Sequence, residues 1–260
     1  YAVLVSQLCR LLKLPYVPIL HGGNLPNRLE NLPKLSKRLF KNAYANVSPS
    51  LYLKERFEKA GYQNVVYIPN TINLENYPQH HKTYDTPQLL WVRSFSEIYN
   101  PTLAVKVLHE LRQRGYDASL CMVGPDTDGS LAEVKALAER LNLSVNFTGK
   151  LTKTEWIALS KDYNVFINTT NFDNMPVSVI EAMALGLPVV STNVGGMRYL
   201  MKDGVEGILV VPNDKIAMTD AICSLFKDVQ RTEMMVTKAR EKVEGFDWKQ
   251  IKSLWEEVLS

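Results

Sequence analysis

Cysteine is scarce in this chain: three in 260 residues, Cys9, Cys121 and Cys223, far apart and without a CxxC pair. An odd, scattered set excludes a disulfide-stapled mini-protein, argues against a zinc site and fits a reduced, cytoplasmic setting. No apolar run reaches the roughly 18 residues that a membrane span needs, and no secretory signal is visible. No GxGxxG follows a strand-like run, so a dinucleotide dehydrogenase fits poorly. Charge of one sign is also missing, with 30 Lys and Arg against 27 Asp and Glu, +3 in all.

What is present is ordinary globular sequence, 46% hydrophobic and 22% charged, enough for a substantial core and unlike a disordered tail or a collagen repeat. The length suits one large domain or two smaller ones. The charge is uneven. Residues 1–85 carry 11 Lys/Arg and 5 Asp/Glu, net +6; residues 86–260 carry 19 and 22, net −3. Such asymmetry hints at two domains with different partners. Arg28, Lys34, Lys37, Arg38 and Lys41 crowd a helical pattern with Leu35, Leu39 and Phe40. Two readings stay open for this 28–41 region: a helix lying on an anionic membrane, or a plainly solvated face. Nucleic acid is disfavoured, because the basic stretch has no interleaved aromatics and no known module.

Strand-like and helix-like segments alternate along the chain. Short apolar runs at 16–20, 45–47, 64–68, 88–92, 118–123, 145–148, 164–168, 187–191 and 207–211 predict strands. Helices are predicted at 33–43, 51–60 (Ser50 as cap), 101–114, 130–141 (Ser130 as cap, Glu133 closing a capping box), 154–161, 176–185, 214–228 and 249–259. The chain opens at Tyr1 with an apolar helix and then a strand, as the interior of a longer chain would. Residues 73–87 are polar and aperiodic, hold two prolines and place His80 and His81 side by side. They predict a linker, with both histidines exposed in a loop. Strands separated by helices imply βαβ units, a parallel sheet and right-handed crossovers. The second half is thus a complete doubly wound α/β domain, and the first half is the tail of another.

In such sheets ligands bind at the carboxyl ends of the strands. The 171–176 turn (NFDNMP) runs straight into the 176–185 helix, with Pro176 at its first position and the backbone N–H groups of Met175, Val177 and Ser178 facing the crevice. A helix start with free N–H donors can take an anion. Asp173 at the mouth and Glu181 on the helix are eight residues apart. A carboxylate there can accept paired sugar or ribose hydroxyls. The spacing equally allows Asp173 as a cap and Glu181 as a solvated helix residue. Arg93 ends the 88–92 strand, placed either to clamp phosphate or to make a surface salt bridge. Gly124 ends the next strand, where a missing Cβ would let a ligand approach. Gly149 ends a third, with Lys150 free to reach the cleft. Asp126-Thr127-Asp128 has the letters of a DxD metal motif, in a turn that the family resembled below does not use for a metal.

Four segments together resemble the retaining glycosyltransferases of GT-B fold, family 4 type (glycosyl transferases group 1). Ile68–Asn73 (IPNTIN) is similar to that family's I-P-N-G-[IV]-[DN] segment. Val145–Leu151 (VNFTGKL) is similar to its V-x-F-x-G-x-[LVI] segment. Asp173–Gly186 (DNMPVSVIEAMALG) resembles its E-x7-E region, and Pro188–Gly196 (PVVSTNVGG) the P-V-[VI]-[AS]-[ST]-x-x-G-G stretch that follows. His21-Gly22-Gly23 matches the histidine-bearing loop late in the family's N-terminal domain.

The resemblance implies two Rossmann-like domains facing a cleft, the N-terminal one incomplete. Residues 1–78 would be the end of the acceptor-side domain and 79–87 a linker. Residues 88–245 would be the donor-binding domain, and 246–260 a helix crossing back. It implies a hydroxyl acceptor on a carbohydrate or glycolipid and a nucleotide-diphosphate sugar donor, with no cofactor and no metal. By the same resemblance Glu181 holds the ribose and Asp173, standing for a glutamate, holds sugar hydroxyls. Arg93 neutralises the leaving diphosphate and His21 faces the transferred sugar. Asn174, Met175, Pro176 and Val177 line the sugar and pyrophosphate, with Gly124 near the donor. Gly149, Lys150 and Leu151 line the base pocket. The family's lysine about five residues after the arginine is absent; Ile98 or Tyr99 stands there, and Lys150 is the candidate substitute. Two other readings remain: a degenerate nucleotide-sugar binder, which the missing lysine favours, and a sugar-nucleotide 2-epimerase, against which E-A-M-A-x-G argues.

Overall fold

The computed structural model describes residues 1–21 and 25–260. The chain divides into two units, residues 1–71 with 248–260, and residues 72–247.

In the first unit α1 (Ala2–Leu11), α2 (Leu25–Asn31) and α3 (Pro33–Phe40) precede β1 (Asn46–Ser48), α4 (Leu51–Lys59) and β2 (Val65–Tyr67). β1 and β2 pair in parallel, Asn46 opposite Val65. The 16–20 run makes only one bridge, Ile19 to Val47; Pro15 and Pro18 lack the N–H that a longer ladder needs. Ser50 caps α4 as predicted, its hydroxyl accepting from Leu53 N at 3.1 Å. The helix predicted at 33–43 ends at Phe40. Its apolar face is turned inward: Leu39 and Phe40 are buried with Leu53 and Phe57, and the Phe40 and Phe57 rings meet edge to face at 4.9 Å. Lys34, Lys37, Arg38 and Lys41 are exposed, with Leu32 and Leu35 as the helix's apolar residues at the surface. A helix sunk into a bilayer is therefore not what the basic region builds.

The second unit holds six parallel strands. They are β3 (Gln88–Val92), β4 (Ser119–Val123), β5 (Asn146–Gly149), β6 (Val165–Asn168), β7 (Val189–Thr192) and β8 (Ile208–Val210). Their spatial order is β5-β4-β3-β6-β7-β8. The helices between and after them are α5 (Pro101–Gln113), α6 (Ser130–Arg140), α7 (Lys153–Leu159), α8 (Val177–Ala184), α9 (Met197–Leu200), α10 (Lys215–Lys227) and α11 (Val229–Glu244). Along β3, Leu89 and Trp91 join one apolar cluster and Leu90 the other, as strand alternation dictates for a sheet covered on both faces. The chain builds outward from β3 in one direction and then, from β6, in the other. The switch point lies between β3 and β6, and the crevice at their carboxyl ends is where such folds take ligands.

Several local readings are corrected. Residues 229–244, given no element by the sequence, form the 16-residue α11; only Thr232, Met235, Ala239 and Val243 are buried along it, among many Lys, Arg and Glu. Ser130 is the first residue of α6 rather than its cap, which is Gly129. The turn before α6 is held by carboxylates: Asp126 accepts from Gly129 N at 2.9 Å and Asp128 from Ser130 N at 3.1 Å and Glu97 N at 2.9 Å. The DxD letters thus serve backbone N–H groups, and these bonds bring the Asp128 pKa down to about 2. α7 starts at Lys153, one residue before the predicted 154, with Thr152 as its cap in a capping box with Glu155.

The 73–87 stretch is tied to the second unit. Tyr77 is buried, Lys82 donates to the Ser160 and Lys161 carbonyls at 2.8 and 3.0 Å, and Asn164 Nδ2 donates to the carbonyls of Thr83 and Thr86. His81 is exposed, whereas His80 is half-buried with its Nε2 enclosed. The last helix, α12 (Trp248–Leu259), belongs to the first unit, where Ile251 and Val258 pack with Val47 and Ile68. No helix among the described residues is long and apolar enough to cross a membrane.

Candidate functional site

At the switch point the loops after five adjacent strands are joined by a line of close backbone contacts. The N–H of Gly124, after β4, donates to the Gly149 carbonyl of β5 at 2.9 Å. A Cβ on Gly124 would lie 1.7 Å from the Arg93 carbonyl oxygen. The glycine is therefore needed for the β4 turn to lie against the β3 turn. The Arg93 side chain then crosses to the loop after β6, where its Nη2 ion-pairs with Asp173 Oδ2. The Asp173 carbonyl accepts from Gly196 N, after β7, at 2.9 Å. Added Cβ atoms on Gly195 and Gly196 would lie 1.9 Å from the Asp173 carbonyl oxygen and 1.7 Å from that of Asn174. The adjacent glycines thus fix the height of the 173–174 loop.

Arg93 and Asp173, picked separately from the sequence, are brought into direct contact. Their side chains are 14% and 13% exposed. The guanidinium carbon lies 4.6 Å from the centre of the Tyr99 ring, a cation–π stack. Burial lowers the Arg93 pKa to about 10, which leaves it charged at neutral pH. Tyr99 is placed by stitching between loops. Its carbonyl accepts from Thr169 Oγ1 at 2.8 Å, and the Ile98 carbonyl accepts from Asn171 N at 2.7 Å. Arg93 Nε is buried without a hydrogen-bond partner.

α8 begins beside this pair. Pro176 is its N-cap rather than its first helical residue, with φ −68° and ψ 118°, and no side chain caps it. The Val179 and Ile180 N–H groups turn back to the Pro176 carbonyl, which leaves Val177 and Ser178 to present the first donors. The Ser178 hydroxyl is buried and has no partner. Asn174 and Met175 are buried, Met175 within the apolar cluster below, and Val177 is 38% exposed. Two buried, unpartnered polar groups, Arg93 Nε and Ser178 Oγ, together with an uncapped helix start, form an arrangement suited to an anion.

One turn further along α8, Glu181 is 3% exposed. Its Oε1 accepts from the Tyr77 hydroxyl at 2.8 Å and ion-pairs with Lys153. Burial first, and the neighbouring carboxylate second, push the Tyr77 pKa up, so the phenol stays a donor. Glu181 is therefore a buried, hydrogen-bonded carboxylate and not a solvated helix residue. Lys150 is exposed and Leu151 packs at the edge of the apolar cluster. The lysine that the structure places on a site carboxylate is Lys153, three residues on. His21 lies in the first unit and is exposed, its N–H donating to the Ile19 carbonyl at 3.0 Å; Gly22 and Gly23 of that motif lie outside the described residues. Tyr77, Lys153, Tyr99 and the Gly195-Gly196 cradle escaped the sequence reading as site residues. The one signal for Tyr77 was its place just after the IPNTIN segment.

Comparison with known proteins bears on these elements. A family model described as glycosyl transferases group 1 matches residues 73–242. Glycogen synthase of Mycobacterium tuberculosis is 25% identical over 149 residues, covering 57% of this chain and 36% of that protein. The capsular polysaccharide biosynthesis glycosyltransferase CapM of Staphylococcus aureus is 31% identical over 165 residues, covering 60% and 42%. The matches thus span well under half the length of these relatives. The crystal structure of Anabaena HepE with UDP-glucose superposes with a TM-score of 0.87 at 20% identity, over 99% of this chain and 75% of that one. That likeness shows the fold, the α/β Rossmann-like type of the GT-B glycosyltransferases.

Proposed function

The chain belongs to the glycosyl transferases group 1 family, and on that premise we propose that its second unit binds the nucleotide-diphosphate sugar donor of a retaining glycosyltransferase. The observation that carries the reading is the convergence of Arg93, Asp173, the uncapped start of α8 and Glu181 at one switch point. These groups match a nucleotide sugar in chemistry and order. Glu181 accepts the ribose hydroxyls. The Val177 and Ser178 N–H groups and Arg93 take the diphosphate. Asp173, released from Arg93, accepts hydroxyls of the sugar.

When the glycosidic bond breaks, negative charge grows on the departing diphosphate. Donors fixed before the reaction stabilise that charge without reorganising. Arg93 stacked on Tyr99 and the start of α8 are such donors, and with them the reading needs no metal ion. The acceptor would be a hydroxyl of a cell-surface polysaccharide or glycolipid, as the name of CapM suggests for that relative. Work at the cytoplasmic face of a membrane is consistent with the exposed Lys34, Lys37, Arg38 and Lys41, which would hold anionic headgroups by charge alone.

Calorimetric titration of the 260-residue chain with UDP, GDP and ADP, with and without magnesium, tests this. The expected result is binding of one diphosphate over the others, unchanged by the metal. Binding of none, or binding only with magnesium, would contradict it.

A further inference from the structure

Tyr77 lies in a stretch whose sequence suggests a spacer, yet it is built into the site with care. Its ring is 4% exposed. Its carbonyl accepts from Arg240 Nη1 at 2.9 Å, and the same guanidinium holds the Ala184 carbonyl at the end of α8. Arg240, on α11, thus ties the Tyr77 segment to the helix that carries Glu181. The phenol then donates to Glu181 Oε1 at 2.8 Å. Lys153 reaches the same oxygen from a side chain that is 54% exposed, so it supplies charge but little rigidity. Among the described residues, both partners of Glu181 meet Oε1, not its second oxygen.

We infer that Tyr77 is a positioning residue that sets the specificity of the site for a ribose. By holding Oε1, it restrains the carboxylate and leaves the other oxygen to accept the sugar hydroxyls of a ribonucleotide. A carboxylate free to rotate would still attract a cation but would no longer discriminate a ribose from a 2′-deoxyribose. Discrimination by hydrogen bonding depends on a buried polar group that is left unpaired when the wrong ligand binds. The inference rests on the reading of the site given above.

The test compares UDP, GDP and ADP with their 2′-deoxy counterparts on the wild-type chain and on Tyr77→Phe. Wild type should prefer the ribo form of whichever base it binds. Tyr77→Phe should weaken the ribo form about 5- to 10-fold, the loss of roughly one hydrogen bond's net worth. It should leave the 2′-deoxy form within about twofold, so that the preference collapses. A merely structural tyrosine would weaken both alike, and that outcome overturns the role. Wild type that binds without ribose preference overturns it too. Wild type that binds no diphosphate overturns the donor-site reading and this inference with it. A second measurement needs no substitution: with 3-fluorotyrosine incorporated, the fluorine resonance of residue 77 should shift with the ribonucleoside diphosphate and much less with its 2′-deoxy form. Equal shifts would count against the role.

Discussion

Arg93 brings a buried positive charge against Asp173, the central contact of the site at the scale of residues. The ion pair lets a guanidinium remain charged in a nearly closed environment, where an uncompensated charge would cost several kcal/mol. On the proposed reading an incoming diphosphate competes with the aspartate. Asp173→Asn removes the competitor and keeps the shape, so it should tighten nucleoside diphosphate several-fold while it slows transfer. Calorimetry and a transfer assay on the same protein check both halves. The placement of Arg93, Asp173 and Glu181 around one crevice was legible in the sequence, because each lies just past the end of a parallel strand or on the helix that follows one. Lys153 and Tyr77 were not. Each meets Glu181 across a sequence gap, 28 and 104 residues, and neither lies in a patterned segment that would mark its direction.

At the scale of elements, most strands and helices of the second unit followed from hydropathy period alone, because β3 to β8 are short apolar runs separated by helices. α11 did not, since few of its residues are buried and the rest read as a solvated run. The turns were the least legible. Pro176 is a cap without a capping side chain, Ser130 cedes the cap to Gly129 in a turn held by Asp126 and Asp128, and α7 starts one residue early behind Thr152. Glycine at 124, 195 and 196 answers to neighbouring backbone, which no local pattern shows. The Gly195-Gly196 cradle yields a direct prediction. Gly196→Ala places a Cβ 1.7 Å from the Asn174 carbonyl oxygen, so the 173–174 loop must move. We expect a loss of about 2–3 kcal/mol, typical of overpacking a tight contact, with nucleotide binding lost as well. Gly61→Ala, at φ +89° but with open space around it, should cost only about 1–2 kcal/mol of backbone strain and leave binding intact. Urea unfolding and titration of the two variants distinguish a displaced site from a general weakening.

For the whole molecule, the charge split was visible from composition, and the structure changes what it means. The apolar side of the basic helix α3 is spent on the core of the first unit, which leaves lysines and arginines to act as a charged surface without an inserted wedge. Adhesion to a membrane through α3 should then be electrostatic, unlike any contact through α1, where Leu4, Leu8 and Leu11 are exposed. The chain should sediment with vesicles rich in phosphatidylglycerol and not with phosphatidylcholine, and it should be released as salt rises past roughly 0.1 M, where the screening length is about 10 Å. The double substitution Lys37→Glu with Arg38→Glu should abolish that sedimentation. Binding that persists in high salt would point instead to inserted apolar side chains.

The central claim is that Arg93 and Glu181 hold two ends of one ligand. The measurement that tests it most directly is the affinity of Arg93→Ala and Glu181→Ala for a nucleoside diphosphate and for the matching nucleoside. Arg93→Ala should lose affinity for the diphosphate, by on the order of tenfold or more for a charge-assisted contact, and keep its affinity for the nucleoside. Glu181→Ala should lose affinity for both. Equal effects of Arg93→Ala on the two ligands, or no effect of Glu181→Ala on either, would contradict the account.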